Sequence, residues 1–485
     1  MAILNRAQAA EQAGAIPRQA LVDRVEALAA DGFHSQVLML SFLFAVTRSR
    51  AYARQLLNTV VRTGLDPPLA RFFYWQFDSI AFRFPETFGD AEQIMLAEFY
   101  RRLVGQWRGR LRMDLHWMPP AERCGGHVVV AAVQMLNVAH APTHQTLETC
   151  RTLQRDLGKR VLLVNTAEMP RAMPLPYYGA LGANFAEPLT GLAEVAYKGE
   201  VFAFRQFAGG MKTDEELTDC LRTVAAWKPE FVFTIGGPSV AADLCAGFTT
   251  VVTLPMAAGF PVSAGTLFVA LGVPDEKQRR LQQALQVPDE RVTFHAQGTF
   301  DLPPRSATLQ RAALEIPDDA FVLVVAGNRL DDDVTGEFAT AVAGLLETAP
   351  RAFAVLVGPF AGQASLSRRT RAIGFQTDLL AVYEIGDAFL NPPRLGGGSS
   401  AAFALAMGLP VLTLAEGDVA AVAGEAFVFP SFAAIEAEVR RLMADTTYRE
   451  SRRAQARSRW NEISDRQRMM AALLGWIEPR LPLRA

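Results

Sequence analysis

Apolar positions along the chain keep two different rhythms. From about residue 15 to 118 they recur every three or four residues, the period of an amphipathic helix. Leu21, Val25, Leu28 and Ala29 form one such stripe, and Met39, Phe42, Leu43 and Val46 another. Phe72, Phe73, Tyr74, Trp75 and Phe77 crowd one segment and read as core. After Met118-Pro119-Pro120 the rhythm changes to short continuous apolar runs separated by helix-like stretches. Val128–Val133, Arg160–Val164, Phe231–Ile235 and Thr250–Leu254 read as buried strands, with helices at about 143–157 and 214–227 between them. A proline-bearing linker, Leu302-Pro303-Pro304, precedes a second such series. That series has strands Phe321–Ala326, Phe353–Val357, Ala388–Leu390 and Val411–Leu414, and helices at 335–346, 365–371 and 401–407. Ala433–Ile477 is helical and charged. The pattern predicts an α/β protein of two doubly wound, Rossmann-like domains behind an all-helical N-terminal domain. Expected boundaries are 1–120, 121–300, 301–450 and a terminal helix at 451–485.

Composition narrows the class little. At 485 residues the chain exceeds one core, and 50% hydrophobic with 20% charged residues is ordinary for a globular enzyme. A net charge of −2 gives no bulk attraction for nucleic acid. Four scattered cysteines without C-x-x-C spacing suggest neither a zinc site nor a disulfide framework, and fit a reducing cytoplasm. The N-terminal MAILNRAQAAEQAG lacks the basic flank and apolar core of a signal peptide. The most lipid-like run, Val37–Val46, is far shorter than the roughly 20 residues that span a bilayer. A soluble protein is expected, with peripheral membrane contact left open.

The candidate chemistry centres on Gly386–Glu416. A short strand, the punctuation Asn391-Pro392-Pro393, then Gly396-Gly397-Gly398 and Ser399-Ser400 lead into a helix of good helix formers. The two serines are expected at the N-cap. A glycine turn on a helix N-terminus is an anion site, since free N–H groups and the helix dipole both face negative charge. The spacing is neither the dinucleotide nor the P-loop fingerprint. A plain strand-to-helix connection without ligand is the alternative.

Asp387, Leu390, Pro392, Gly397, Gly398, Ser399, Ser400, Ala404, Leu405, Gly408, Pro410 and Thr413 follow a pattern that resembles the donor-binding half of GT-B glycosyltransferases, especially the O-GlcNAc-transferase-like group. The helical region ahead of two sheet domains also resembles the HMW1C-like protein glycosyltransferases. The resemblance implies transfer of a sugar from a nucleotide sugar, a UDP-sugar first of all, to a protein, glycan or lipid-linked acceptor, with no metal required. It implies a bacterial glycan or glycoprotein biosynthetic role and a hexosyltransferase activity. Retaining GT-B enzymes carry a Glu-x7-Glu motif where this chain has Leu395 and Phe403, so inversion is expected.

Within that frame, the amides of Gly396–Ser400 are expected to hold the diphosphate, with Arg329, after Asn328 at the end of the strand Phe321–Ala326, as its cation. A surface arginine pairing with Asp331–Asp333 is the alternative for Arg329. Phe375 and Gln376, in Gly374-Phe375-Gln376-Thr377-Asp378, resemble a turn that meets the nucleobase. Asn391, Glu416 and Asp418 are expected on the donor side, Asp418 or Glu416 accepting sugar hydroxyls, and Gly236 and Gly237 on the acceptor side. Inversion needs a general base, and His140 and His144, which titrate near neutrality, are the candidates. They lie four positions apart, but no third metal ligand is evident. A UDP-sugar epimerase, or an inactive scaffold binding a partner through its helices, would share these features.

Overall fold

The computed structural model describes residues 2–28, 31–111, 116–137, 140–171, 175–186, 189–257, 259–272, 276–295, 302–303, 308–360 and 366–484. Ala29, Pro304, Ser365 and the expected boundary at 300–301 lie outside the described residues.

Six helices lead: α1 (Ala2–Gln12), α2 (Arg18–Glu26), α3 (Gly32–Thr47), α4 (Arg50–Arg62), α5 (Pro67–Arg83) and α6 (Asp90–Arg110). Phe42, Leu43 and Val46 are buried as their stripe predicts, but Leu28 falls just past α2 and is exposed. The aromatic segment of α5 is core: Phe72, Phe73, Tyr74 and Phe77 are fully buried.

The first sheet region comprises β1 (His127–Ala132), α7 (Ala141–Arg151), β2 (Arg160–Asn165), β3 (Glu194–Tyr197), β4 (Glu200–Gln206), α8 (Asp214–Trp227), β5 (Phe231–Ile235), α9 (Val240–Leu244), β6 (Thr250–Leu254), β7 (Leu267–Leu271), α10 (Glu276–Ala284) and β8 (Val292–His295). Its strand order is β3-β4-β2-β1-β5-β6-β7-β8, parallel except for the β3–β4 hairpin. The second comprises β9 (Phe321–Ala326), α11 (Leu330–Asp333), α12 (Gly336–Thr348), β10 (Ala352–Val357), β11 (Thr370–Ala372), α13 (Leu379–Ile385), β12 (Ala388–Leu390), α14 (Gly398–Ala406), β13 (Val411–Leu414), α15 (Gly417–Ala423) and β14 (Val428–Phe429). All its pairings are parallel, in the order β11-β10-β9-β12-β13-β14. The helix expected over 365–371 is absent: Thr370–Ala372 instead forms the edge strand β11 against β10.

Three helices close the chain: α16 (Phe432–Ala444), α17 (Thr446–Ser464) and α18 (Arg466–Ile477). They divide between the two sheets. Ala456 and Ile463 of α17 join the core on one face of the second sheet, while Met470, Leu473, Leu474 and Ile477 of α18 join the core under the first. The crossing back therefore begins at Arg466, not at 451. On the opposite face of the first sheet, the helical region shares one continuous core with β1, β5, β6, α8 and α9.

The α18 crossing has an electrostatic anchor. Glu148 of α7 is 0% exposed and accepts hydrogen bonds from Tyr197 Oη at 2.7 Å, Lys198 Nζ at 2.5 Å and the Arg466 guanidinium. Arg151 Nη1 also lies 3.5 Å from this carboxylate, so removing Arg466 leaves the charge paired and costs about 1–3 kcal/mol, the worth of one hydrogen bond to a charged group. Arg466→Ala is therefore expected to lower the urea midpoint and to open the chain near Asp465 to limited proteolysis.

Candidate functional site

In an open parallel sheet, ligands bind outside the carboxyl ends of the strands, where the strand order reverses. The first sheet reverses between β1 and β5, the second between β9 and β12. Four connections leave these ends: Val133–His140, Gly236–Ser239, Gly327–Arg329 and Asn391–Gly397. Three of the four begin the stretches that sequence reading singled out as donor or acceptor side, and the fourth ends at His140. The carboxyl ends of the two sheets also approach one another. A Cβ added to Gly272, just after β7, would lie 2.9 Å from Ala421 Cβ of α15.

The glycine run adopts the conformation its composition permits. Gly396 and Gly397 have φ of +91° and +88°, in the left-handed region that favours glycine. Gly397 is the N-cap of α14, and Gly398, Ser399 and Ser400 are its first turn. The serines are thus inside the helix, not at its cap. The residue at the cap has no side chain to satisfy the first amides, so they remain available, with the helix dipole, to an anion.

What holds this turn is a residue the sequence reading passed over. Arg394 is buried, and its guanidinium donates to Ala326 O at the end of β9 (2.6 Å), Asn391 Oδ1 (3.1 Å) and Asp333 Oδ2 (3.1 Å). Burial pulls its pKa down, and the charge of Asp333 pushes it back. Asn391, expected to face the donor, is 2% exposed and braces this arginine while donating to Thr413 Oγ1. Asp418, expected to accept a sugar hydroxyl, is also buried, and its carboxylate accepts the Gly396 N–H. Both side chains shape the loop from beneath. Glu416 is exposed at the N-cap of α15.

Arg329 does not pair with an acidic neighbour among the described residues, and Asp333 is engaged by Arg394 instead. Its Nη2 donates to Leu395 O at 2.8 Å, which sets the guanidinium against the glycine run. On the other side it lies over the Phe82 ring of α5, 5.2 Å from the centroid. Asn328 beside it is exposed. Phe375 is 68% exposed on the turn after β11, an uncovered aromatic face at the carboxyl edge of the second sheet. Gln376 turns back to Ile373 O at 2.6 Å.

On the first-sheet side, the two histidines separate. His140 caps α7, with Nδ1 2.9 Å from Thr143 Oγ1, and burial pulls its pKa below the ordinary value. The imidazole is then neutral at pH 7. With the proton on Nδ1, Thr143 Oγ1 accepts from it and from Leu136 N–H, and Nε2 keeps a lone pair. His144 does not share this environment. Its Nε2 lies 3.8 Å from Glu148, and its ring meets Tyr197 edge-on, in the cluster that anchors α18. The i,i+4 relation to Glu148 turns it onto the flank of α7, so it is a poor general base for the crevice. Gly236 and Gly237 turn the chain after β5. The next residue, Pro238, accepts from Arg71 Nη2 of α5 at 3.1 Å. Ser239 caps α9 and donates to the buried carboxylate of Glu168.

Among the described residues no group of three or more His, Cys, Asp or Glu is placed to hold a metal ion, and no helix is long and apolar enough to cross a membrane.

Arg394→Ala would strand the Asp333 carboxylate and the Ala326 carbonyl in a buried site, a loss of about 3–5 kcal/mol by analogy with other broken buried pairs. Early melting of the second sheet region in a thermal scan is the expected outcome. Gly397→Ala should fold less stably for two reasons: φ of +88° disfavours a side chain, and the new Cβ would lie 2.8 Å from Arg394 Nη2.

No family model matches the chain, and no curated protein matches it. Solved structures do. An O-GlcNAc transferase from Thermobaculum terrenum, determined as a point mutant, aligns over 99% of this chain and 96% of its own, at 15% identity and a TM-score of 0.50. A glycosyltransferase from Rickettsia africae aligns over 73% of this chain and 99% of its own, at 12% identity and a TM-score of 0.50. At such identities the likeness speaks to architecture. Two facing parallel-sheet domains, a terminal helix crossing back and a helical leader give this chain the GT-B glycosyltransferase fold.

Proposed function

We propose that the protein is a glycosyltransferase that moves a hexosyl group from a nucleotide sugar, with UDP as the nucleotide, to an acceptor held against the first sheet. The observation that carries this reading is the coincidence at the second reversal point. There an uncapped helix start, a glycine turn and the Arg329 guanidinium meet. The leaving diphosphate gains charge as the glycosidic bond breaks, and preorganised amides with a cation stabilise that charge most in a crevice closed to water. Phe375 offers a face on which a base can stack. The O-GlcNAc transferase activity by which the Thermobaculum protein is named makes an N-acetylglucosaminyl donor the first to test.

Inversion is part of the proposal. Leu395 and Phe403 leave no carboxylate where a retaining mechanism would want one, so the acceptor attacks directly and loses its proton to a base. His140 fills that role, being neutral at pH 7, with an Nε2 lone pair that no described residue engages. The reaction proceeds without a metal, since Arg329 and the helix dipole supply the positive potential. The cytoplasm, where nucleotide sugars are made, is the proposed location, and bacterial glycan or glycoprotein synthesis the proposed setting.

A thermal-shift panel of UDP-, GDP-, CMP- and dTDP-sugars tests the donor, because a ligand at 100 times its Kd stabilises the fold by about 2.7 kcal/mol. UDP-sugars alone are expected to raise the melting temperature. Arg329→Ala should weaken that binding by about 2 kcal/mol, roughly thirtyfold, the worth of a hydrogen bond to a charged group. An unchanged Kd would remove Arg329 from the site, and an epimerised donor in the absence of acceptor would replace the transferase reading.

A further inference from the structure

Helix α5 belongs to the leading helical region, yet it reaches both reversal points. Near its start, Arg71 donates to Pro238 O in the turn after β5. Near its end, Phe82 lies under Arg329 in the turn after β9. At 100° per residue, Arg71, Tyr74, Asp78 and Phe82 fall within about 80° of arc, so they form one stripe along the helix. At 1.5 Å per residue the stripe runs about 16 Å from the first sheet's turn to the second's, and Asp78 lies about 6 Å along the axis from Phe82.

Asp78 is an unusual occupant of such a stripe. It is half-buried and makes no hydrogen bond or ion pair among the described residues. Its charged surroundings are sparse. Arg71 lies two turns away on the same helix, with its own charge directed at Glu168, 3.9 Å distant. Tyr74 lies between them, with Tyr100 and Asp243 behind it on α6 and α9. Arg329 stands beyond Phe82. A carboxylate largely withdrawn from water without a hydrogen-bond partner costs the fold stability that a bound donor would restore.

We infer that Asp78 binds the acceptor, its carboxylate accepting a hydrogen bond from an O–H or N–H at the acceptor's reacting end. The inference rests on the transferase reading above and deepens it. The helical region then forms a wall of the acceptor site, since its α5 stripe spans the interval between the acceptor-side turn and the donor's arginine. The acceptor class follows from the charge. A hydroxyl, amide or amine suits a carboxylate, whereas an acceptor carrying a phosphate or carboxylate at its reacting end would be repelled.

The ionised form is the one that accepts the hydrogen bond. Burial pushes this carboxyl up to about 6, with Arg71 opposing. Acceptor engagement therefore rises as pH climbs through that value and is lost as pH falls through it. The same shift means the ionised side chain weakens the fold above pH 6, so an isosteric neutral replacement should not unfold the protein.

The test measures UDP release from UDP-N-acetylglucosamine, with water alone and with a peptide rich in Ser, Thr and Asn. It compares wild type, Asp78→Asn and Asp78→Glu from pH 5 to 8, with donor affinity taken separately by calorimetry. Asp78→Asn is expected to melt no lower than wild type at pH 8 and to bind donor within twofold. It should release UDP at least tenfold more slowly, with the acid limb of its rate profile displaced downward. Asp78→Glu should recover part of the rate. A variant Asp78→Asn with wild-type rate and an unmoved acid limb would overturn the assignment. Failure of wild type to bind the donor at all would instead defeat the transferase reading, and this inference with it.

Discussion

One buried guanidinium fixes the geometry on which the donor side depends. Arg394 ties the end of β9 to the turn after β12 through Ala326 O, Asn391 and Asp333. Its position also accounts for several glycines around it. A Cβ on Gly327 or Gly397 would collide with the guanidinium, and one on Gly417 would meet the Arg394 carbonyl. A charged group out of water is tolerated only when its donors are matched, so this arrangement is nearly all-or-none. It holds Gly396 and Gly397 in left-handed conformations and leaves the start of α14 open toward the crevice. The helix dipole and the free amides are generic; their aim is set by Arg394.

The second constraint is that three parts of the chain share the crevice. The helical region is continuous in core with the first sheet, and α18 covers that sheet's other face. The Glu148 cluster fixes α18 on the first sheet region, and Gly272 at the end of β7 comes close to Ala421 of the second. Helix α5 crosses the gap, touching the turn after β5 with Arg71 and Arg329 with Phe82. Movement of one sheet region against the other would thus change what Arg329 and Asp78 face together.

Much of this architecture was legible in the sequence because parallel strands buried on both faces leave continuous apolar runs. Phe231–Ile235, Thr250–Leu254, Phe321–Ala326 and Val411–Leu414 are strands at the residues expected. The edge strand β11 was read as helix because its three residues are half-buried or exposed and two of them, Thr370 and Arg371, are polar, so no apolar run marks it. The β3–β4 hairpin was missed although Lys198-Gly199, both with positive φ, is a tight-turn pair. For the site, glycine spacing exposed the loop but not its support. A lone arginine inside a proline- and glycine-rich run gives no sign that it is buried. Asn391 and Asp418 were assigned outward because a sequence shows that a polar residue is near a loop, not which side of the loop it occupies. His144 failed for a related reason, its helical rotation being set by Glu148 one turn later. Asp78 was not singled out, because a sequence does not show which acidic side chain is left without a hydrogen bond.

The account stands on the glycine run as the grip for a nucleotide's phosphates. Hydrogen–deuterium exchange of the whole protein, with and without saturating UDP, tests that directly. Slowed exchange concentrated at Gly396–Ala402, with a smaller effect at Gly327–Leu330, is the result expected. Bound UDP with unaltered exchange in Gly396–Ala402 would place the nucleotide elsewhere and contradict it.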